Sequence, residues 1–293
     1  MLSFTVLNSL AFILIGILSG SLGALLGIGG GVINVPFMLQ FGLSPEVARS
    51  AGLILSSLTG ISAFISHRRR GNVESSELLP FMIFAIIGVV IGVSFQFIFR
   101  IAFPAYNYAR LFKIIFLFVL VVALLRMLGQ YYRKIFHGKI VGIRQNDSNH
   151  NNHERESDEN TVKKENSFWF KAFIAVPGGF LAGVLGIGGG VYYGPILKTV
   201  AHYPIKRAIP LSSGLIAVSV PVGAVIAHII YIIQGNIHQL EVSLLAALFI
   251  GTGTLFGVYF GAVAFKRIKS GFLSIIYIAL ISYNIIKLII GII

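Results

Sequence analysis

The chain contains no cysteine, which excludes disulfides, thiolate metal sites and cysteine nucleophiles and leaves its compartment open. Acidic residues are almost as scarce, with ten Asp and Glu against 23 Lys and Arg in 293 residues. Six of the ten (Asp147, Glu154, Glu156, Asp158, Glu159, Glu165) crowd one polar stretch. The other four, Glu46, Glu74, Glu77 and Glu241, sit at or near the ends of hydrophobic segments. No carboxylate therefore lies inside such a segment, where proton pumps and cation carriers place one. HExxH and a phosphate-binding loop ending in Lys-Ser/Thr are also missing, so neither a zinc hydrolase nor a nucleotide site is indicated, and no cofactor is expected. With no nucleophile–base pair in a hydrophobic segment, an intramembrane enzyme is not supported.

What fills the chain is apolar. Hydrophobic residues make up 56% and charged residues 11%, with a mean hydropathy of +0.88. A globule in water cannot hide that much apolar surface. Charge-free runs span Met1–Pro45, Leu78–Phe99, Ala172–Leu197, Ala208–Leu240 and Val242–Phe265. They exceed the roughly 20 residues a spanning helix needs, and they lack the alternation of a barrel strand. The fold class is an all-α polytopic membrane protein. Met1–Gly20 has no basic leader and reads as the first membrane helix rather than a cleaved signal. The net charge of +13 is then a matter of topology, and no nucleic-acid partner is expected.

The chain also repeats itself. Leu26-Gly27-Ile28-Gly29-Gly30-Gly31-Val32 recurs identically from Leu185 to Val191, with Pro36 and Pro195 in register. Ser50-Ala51-Gly52-Leu53 answers Ser212-Ser213-Gly214-Leu215, His67 answers His228, and Gly71-Asn72-Val73 answers Gly235-Asn236-Ile237. Residues 1–136 and 168–293 thus form two membrane repeats of about four hydrophobic segments, joined by a polar linker, 137–167, whose composition suggests disorder. The first segment of each repeat breaks at its Gly cluster, and the apolar piece that follows is long enough for only half a bilayer. The element either crosses fully and leaves a surface stub, or enters and returns. Full crossings make the repeats parallel and split the basic residues 13 against 10. Returning hairpins make them inverted and gather 18 on one face, leaving Arg49, Arg100, Arg110, Lys113 and Lys287 opposite. The positive-inside bias favours inversion and a cytoplasmic linker.

Broken backbone at membrane depth is tolerated only where protein buries it or a cavity hydrates it, and the helix start it creates attracts anions. Gly29, Gly30, Gly31 and Gly188, Gly189, Gly190 are therefore candidate substrate-binding residues, although small residues also serve helix packing. Asn34 and Tyr193 occupy equivalent places just beyond them and are candidates for selectivity. Ser50, Ser212 and Ser213 open the next helix, where a hydroxyl can donate to an oxyanion or simply cap and pack. Arg49 and Arg207 are candidates to neutralise an anion or to anchor at the interface. His67 and His228 titrate near neutrality and are candidate coupling or gating residues.

The doubled Gly-Ile-Gly-Gly-Gly-Val with its Pro, the Ser-x-Gly-Leu steps and the Gly-Asn-Val/Ile after each His resemble the TauE/SafE family of sulfite exporters. The resemblance covers nearly everything outside the linker. It implies a multi-pass permease of the bacterial inner membrane that handles sulfite, an organosulfonate or another sulfur-containing anion. Transport of another small carboxylate or inorganic anion, and an uncoupled anion channel, remain open. The expected partners are a small anion and the lipid bilayer, with self-association into a homo-oligomer also open.

Overall fold

A computed structural model describes residues 6–27, 29–69, 71, 75–103, 105–141, 168–203, 205–264 and 270–290. Arg70, Asn72, Val73, the polar stretch after residue 141 and the Lys266–Lys269 cluster lie outside them. Every described element is a helix: α1 (Val6–Leu26), α2 (Gly31–Gln40), α3 (Pro45–Arg68), α4 (Ser75–Ala102), α5 (Ala105–Val141), α6 (Phe168–Leu185), α7 (Gly190–Thr199), α8 (Ile205–Ile233), α9 (Ile237–Ala264) and α10 (Ser270–Ile290). Among the described residues, α3, α4, α6, α8 and α9 are long and apolar enough to cross a membrane. Their outward faces stay apolar: Leu79, Ile83, Ile87 and Ile91 form an exposed stripe down α4 at four-residue spacing. Water would oppose such a stripe and hydrocarbon accepts it, so the chain is a multi-pass membrane protein.

Helix directions follow from the contacts. On α3 and α9, Ser50 meets Ser243 and Leu58 meets Gly251, so the two run parallel. Along α1 and α9, Gly16 faces Gly253 and Ser21 faces Gly257, which is also parallel. So α1 and α3 point the same way, and the segment between them must come back. It does: Gly31 lies on Ser56 and Gly52 on Val35, so α2 runs antiparallel to α3. The first element of this half enters and returns. In the other half, α8 runs against α3, with Ser50 on Tyr231 and Gly60 on Ile216. α4 runs with α6 and with α8, matching α9 with α1 and with α3. Among the described helices, α6, α8 and α9 thus run opposite to α1, α3 and α4, which hold the same places in the order of the first half.

Four glycine pairs let the exchanged helices meet. Gly16 and Gly20 on α1 face Gly253 and Gly257 on α9, while Gly88 and Gly92 on α4 face Gly179 and Gly183 on α6. A Cβ on Gly253 would stand 2.0 Å from the Ile13 carbonyl oxygen, and one on Gly179 would stand 2.3 Å from that of Ala85. Small residues four apart bring the backbones together, the packing that substitutes for hydrophobic drive in lipid. One apolar cluster is built largely from α1, α2, α5, α9 and α10. A second is built from α4, α6, α7 and α8, and α3 contributes to both.

Candidate functional site

The two chain breaks meet at mid-depth. A Cβ on Gly31 would touch the Gly186 carbonyl oxygen at 2.5 Å, and one on Gly29 would lie 3.2 Å from that of Ile187. Ser56, midway along α3, donates to the Gly186 carbonyl at 3.2 Å, and Ser212 donates to the Gly27 carbonyl at 2.8 Å. These hydroxyls satisfy carbonyls that the broken helices leave without partners. Gly27, Gly29, Gly186 and Gly188 hold φ between 65° and 82°, which other L residues resist.

In the first half, three polar side chains converge beside the start of α2. A carbon placed on Gly30 would lie 3.0 Å from Thr59 Oγ1, 3.1 Å from Asn34 Nδ2 and 3.5 Å from Ser19 Oγ. Asn34 is fully buried, and neither its Oδ1 nor its Nδ2 has a hydrogen-bond partner. An unpaired buried amide is costly, so this place suits a polar guest. The second half fills the same place. Gly178 stands where Ser19 does, and the Tyr193 ring lies against it, its hydroxyl donating to the Ala175 carbonyl at 3.1 Å.

A larger polar cluster lies between the second break and the end of the molecule where α3 begins. Glu46 and Arg49 are the charged side chains buried among the described residues. Glu46 Oε1 accepts from Arg100 Nε at 2.8 Å. Arg49 packs its backbone on Gly186 and reaches the last turn of α6, where Nη1 donates to the Gly183 carbonyl at 3.0 Å. The negative end of a helix dipole suits it there. Yet Arg49 Nε has no partner, and the carboxylate nearby already serves Arg100. Arg100 stands at the rim, 30% exposed, so the carboxylate it engages is only partly available to the buried Arg49. Tyr108 and Tyr231 lie within electrostatic reach of Arg49, and Gln96 bonds Tyr108. Ser50 meets Tyr231 at 3.2 Å and Ser243 at 2.9 Å, and Ser243 meets His228 Nε2 at 3.1 Å.

Residues 12–288 match the family described as Sulfite exporter TauE/SafE. The chain belongs to the TauE/SafE family. It is 26% identical over 269 residues to Probable membrane transporter protein YunE of Bacillus subtilis, covering 88% of this chain and 89% of that protein. It is 27% identical to Probable membrane transporter protein MJ0441 of Methanocaldococcus jannaschii over 78% of this chain and 75% of the relative. No solved structure matches it. The chain is a membrane transporter of the TauE/SafE family.

The sequence candidates in this TauE/SafE protein separate into groups. Gly29, Gly30, Gly31, Asn34 and Gly188 gather at the meeting of the breaks, with Ser212 bridging to Gly27. Gly189 and Gly190 begin α7 beside Tyr193, while Ser213 bonds its own helix at the Ile209 carbonyl. Arg49, Ser50 and His228 join the charged cluster. Arg49 is thus no interfacial anchor, being 4% exposed. Two candidates stand apart. Arg207 is exposed at the opposite end, 3.9 Å from Glu77, and His67 is buried near the end of α3.

The register between halves also differs from that of the serine motifs. Gly27 packs on the Ile209 carbonyl as Gly186 packs on that of Arg49. Arg49 therefore corresponds to Ile209, and Gly52 to Ser212. The charge has no counterpart in the second half, and the two serine motifs sit two residues out of step. Glu46, Arg100, Tyr108, Tyr231 and Ser243 were not singled out from sequence. A carboxylate and an arginine at helix ends, Glu46 and Arg100, were the available signal.

Proposed function

We propose that this transporter moves small oxyanions, sulfite or an organosulfonate, outward across the bacterial inner membrane. One observation carries the reading: Arg49 is buried with its Nε–H unpaired, while the neighbouring carboxylate of Glu46 is taken by Arg100. Arginine stays charged in proteins, and an unpaired charge at depth is costly, so an anion completes the cluster. Asn34, Ser19, Thr59 and the first amides of α2 then offer the next polar station, at mid-depth. Residues 1–136 and 168–293 act as the two rocking repeats around these stations, giving alternating access. The end of the bundle carrying Arg68, Arg69 and Arg207 is cytoplasmic, and the linker with it.

Exchange of [35S]sulfite in proteoliposomes tests this reading. Saturable exchange that unlabelled sulfite and organosulfonates compete for supports it. Absence of sulfite exchange alongside robust exchange of a small carboxylate would overturn it. Because the chain has no cysteine, single cysteines at Arg69 and Gln234, at the ends of α3 and α8, report topology directly. Labelling of both from the same side would refute the inverted arrangement.

A further inference from the structure

Between the charged cluster and the end of α8 runs an unbroken line of hydroxyls ending on an imidazole. His228 Nδ1 lies 2.7 Å from the Ala224 carbonyl. A carbonyl can only accept, so Nδ1 carries a proton and Nε2 is the titrating nitrogen. Nε2 meets Ser243 Oγ at 3.1 Å, Ser243 meets Ser50 at 2.9 Å, and Ser50 meets the Tyr231 hydroxyl at 3.2 Å. Tyr231 in turn lies within electrostatic reach of Arg49. The four groups come from three helices, α3, α8 and α9, so their alignment is tertiary and not a local consequence of helix geometry.

The Ser243 hydroxyl has two directions. Ser50 gives its own proton to the Glu46 and Val47 carbonyls, at 2.9 Å and 3.1 Å, and so serves the line as an acceptor. With His228 neutral, Ser243 donates to Nε2 and Tyr231 donates to Ser50. With His228 protonated, Nε2 donates to Ser243, whose proton turns to Ser50 and competes there with that of Tyr231, freeing the phenolic proton for an anion. Protonation also adds a positive charge to the cluster. Both changes favour an anion beside Arg49.

Building on the anion-carrier reading, we propose that the proton is the co-substrate, bound at His228 and linked to the anion beside Arg49 through Ser243, Ser50 and Tyr231. The proton leaves Nε2 with the anion when the site opens to the other side, so the pair moves together and the protein returns unchanged. With doubly charged sulfite the pair stays net negative, and an inside-negative membrane potential drives it outward. The charged and titratable groups around the line are Arg49 and Glu46 from α3, Arg100 from α4, Tyr108 from α5 and Tyr231 from α8 itself. Glu46 is engaged by Arg100, and Arg49 does not titrate near neutrality, which leaves the imidazole as the proton site. His238 and Glu241 stand exposed at the start of α9.

The test uses the full chain in proteoliposomes, with [35S]sulfite as probe and two measurements on the same vesicles. Exchange at equal pH reads the anion site alone. Accumulation driven by an alkaline interior reads coupling. Sulfite carries protons of its own, but identically for every variant, so differences between proteins report the line of hydroxyls. Wild-type protein should accumulate sulfite above equilibrium. Measured against its own exchange at equal pH, each of His228→Gln and Ser243→Ala should lose at least about fivefold in gradient-driven accumulation. Variants that accumulate like wild type overturn the proposal, as does an equal loss of exchange and accumulation, which marks the pair as structural. If the wild-type protein exchanges no sulfite, the anion-carrier reading falls and the coupling with it.

Discussion

The same heptapeptide, Leu-Gly-Ile-Gly-Gly-Gly-Val, breaks both halves of this transporter, and it does not fold the same way twice. Gly30 precedes α2 with φ −70°, whereas its equivalent Gly189 precedes α7 with φ 72°. The surroundings differ, not the segment. Around Gly30 stand Ser19, Asn34 and Thr59, polar and partly unpaired. Around Gly189 stand the Gly178 carbonyl and the Tyr193 ring, which fills the corresponding space. Beneath the breaks the contrast continues, since buried Arg49 corresponds to Ile209. A duplicated scaffold has kept its chain path in both halves, while the polar chemistry has gathered in and beneath the first.

This contrast can be broken by substitution. Arg49→Leu removes the charge that the anion completes, and sulfite exchange should fall by about 100-fold or more, in the range of truncated buried ion-pair partners. Ile209→Leu, at the equivalent position, should stay within about threefold. An equal loss at both positions would mean that the halves share the work. Asn34→Leu keeps the volume and removes the amide, and should cost about tenfold in exchange, roughly one hydrogen bond to a charged guest. Tyr193→Phe should leave exchange within about threefold.

Stability sharpens the same comparison. Gly189→Ala forces a side chain into the left-handed region and against the Gly178 carbonyl oxygen at 2.4 Å. It should cost about 3 kcal/mol or more, seen as a clear drop in melting temperature in detergent. Gly30→Ala keeps a helical φ and meets side-chain atoms at 3.0 Å and beyond, so it should cost about 1 kcal/mol while still obstructing transport. Reversed order in the two melting temperatures would contradict the local geometry. The smallest effect is expected at Arg207→Ala, which should change exchange by less than about twofold, since that side chain is exposed and 3.9 Å from Glu77.

Much of this architecture was legible in the sequence because its signals are local. Charge-free runs mark spanning helices, and clustered glycines mark breaks. Whether the first element crosses or returns was open in the residues, and the directions of α1, α2 and α3 show it returning. The small-residue pairs Gly16/Gly20 and Gly253/Gly257 were written in the chain, but their meaning depended on which helices meet. The same holds for the charged cluster. Glu46, Arg49, Arg100, Tyr231 and Ser243 come from α3, α4, α8 and α9, and no spacing along the chain announces their convergence. Glu46 looked like a residue at a segment end, which it is, yet packing buries it. The serine motifs misled by two residues because similar triplets need not occupy similar turns.

The central claim is that an oxyanion completes the charge of the Arg49 cluster. Anion-dependent melting in detergent, with sulfite, sulfate, taurine, sulfoacetate and small carboxylates as the panel, tests it most directly. A ligand at a hundredfold excess over its Kd stabilises a protein by about 2.7 kcal/mol, enough to raise the melting temperature visibly. Sulfite or sulfoacetate should raise it for the wild-type protein and leave Arg49→Leu unmoved. Stabilisation by carboxylates alone, or an equal shift in Arg49→Leu, would contradict the account.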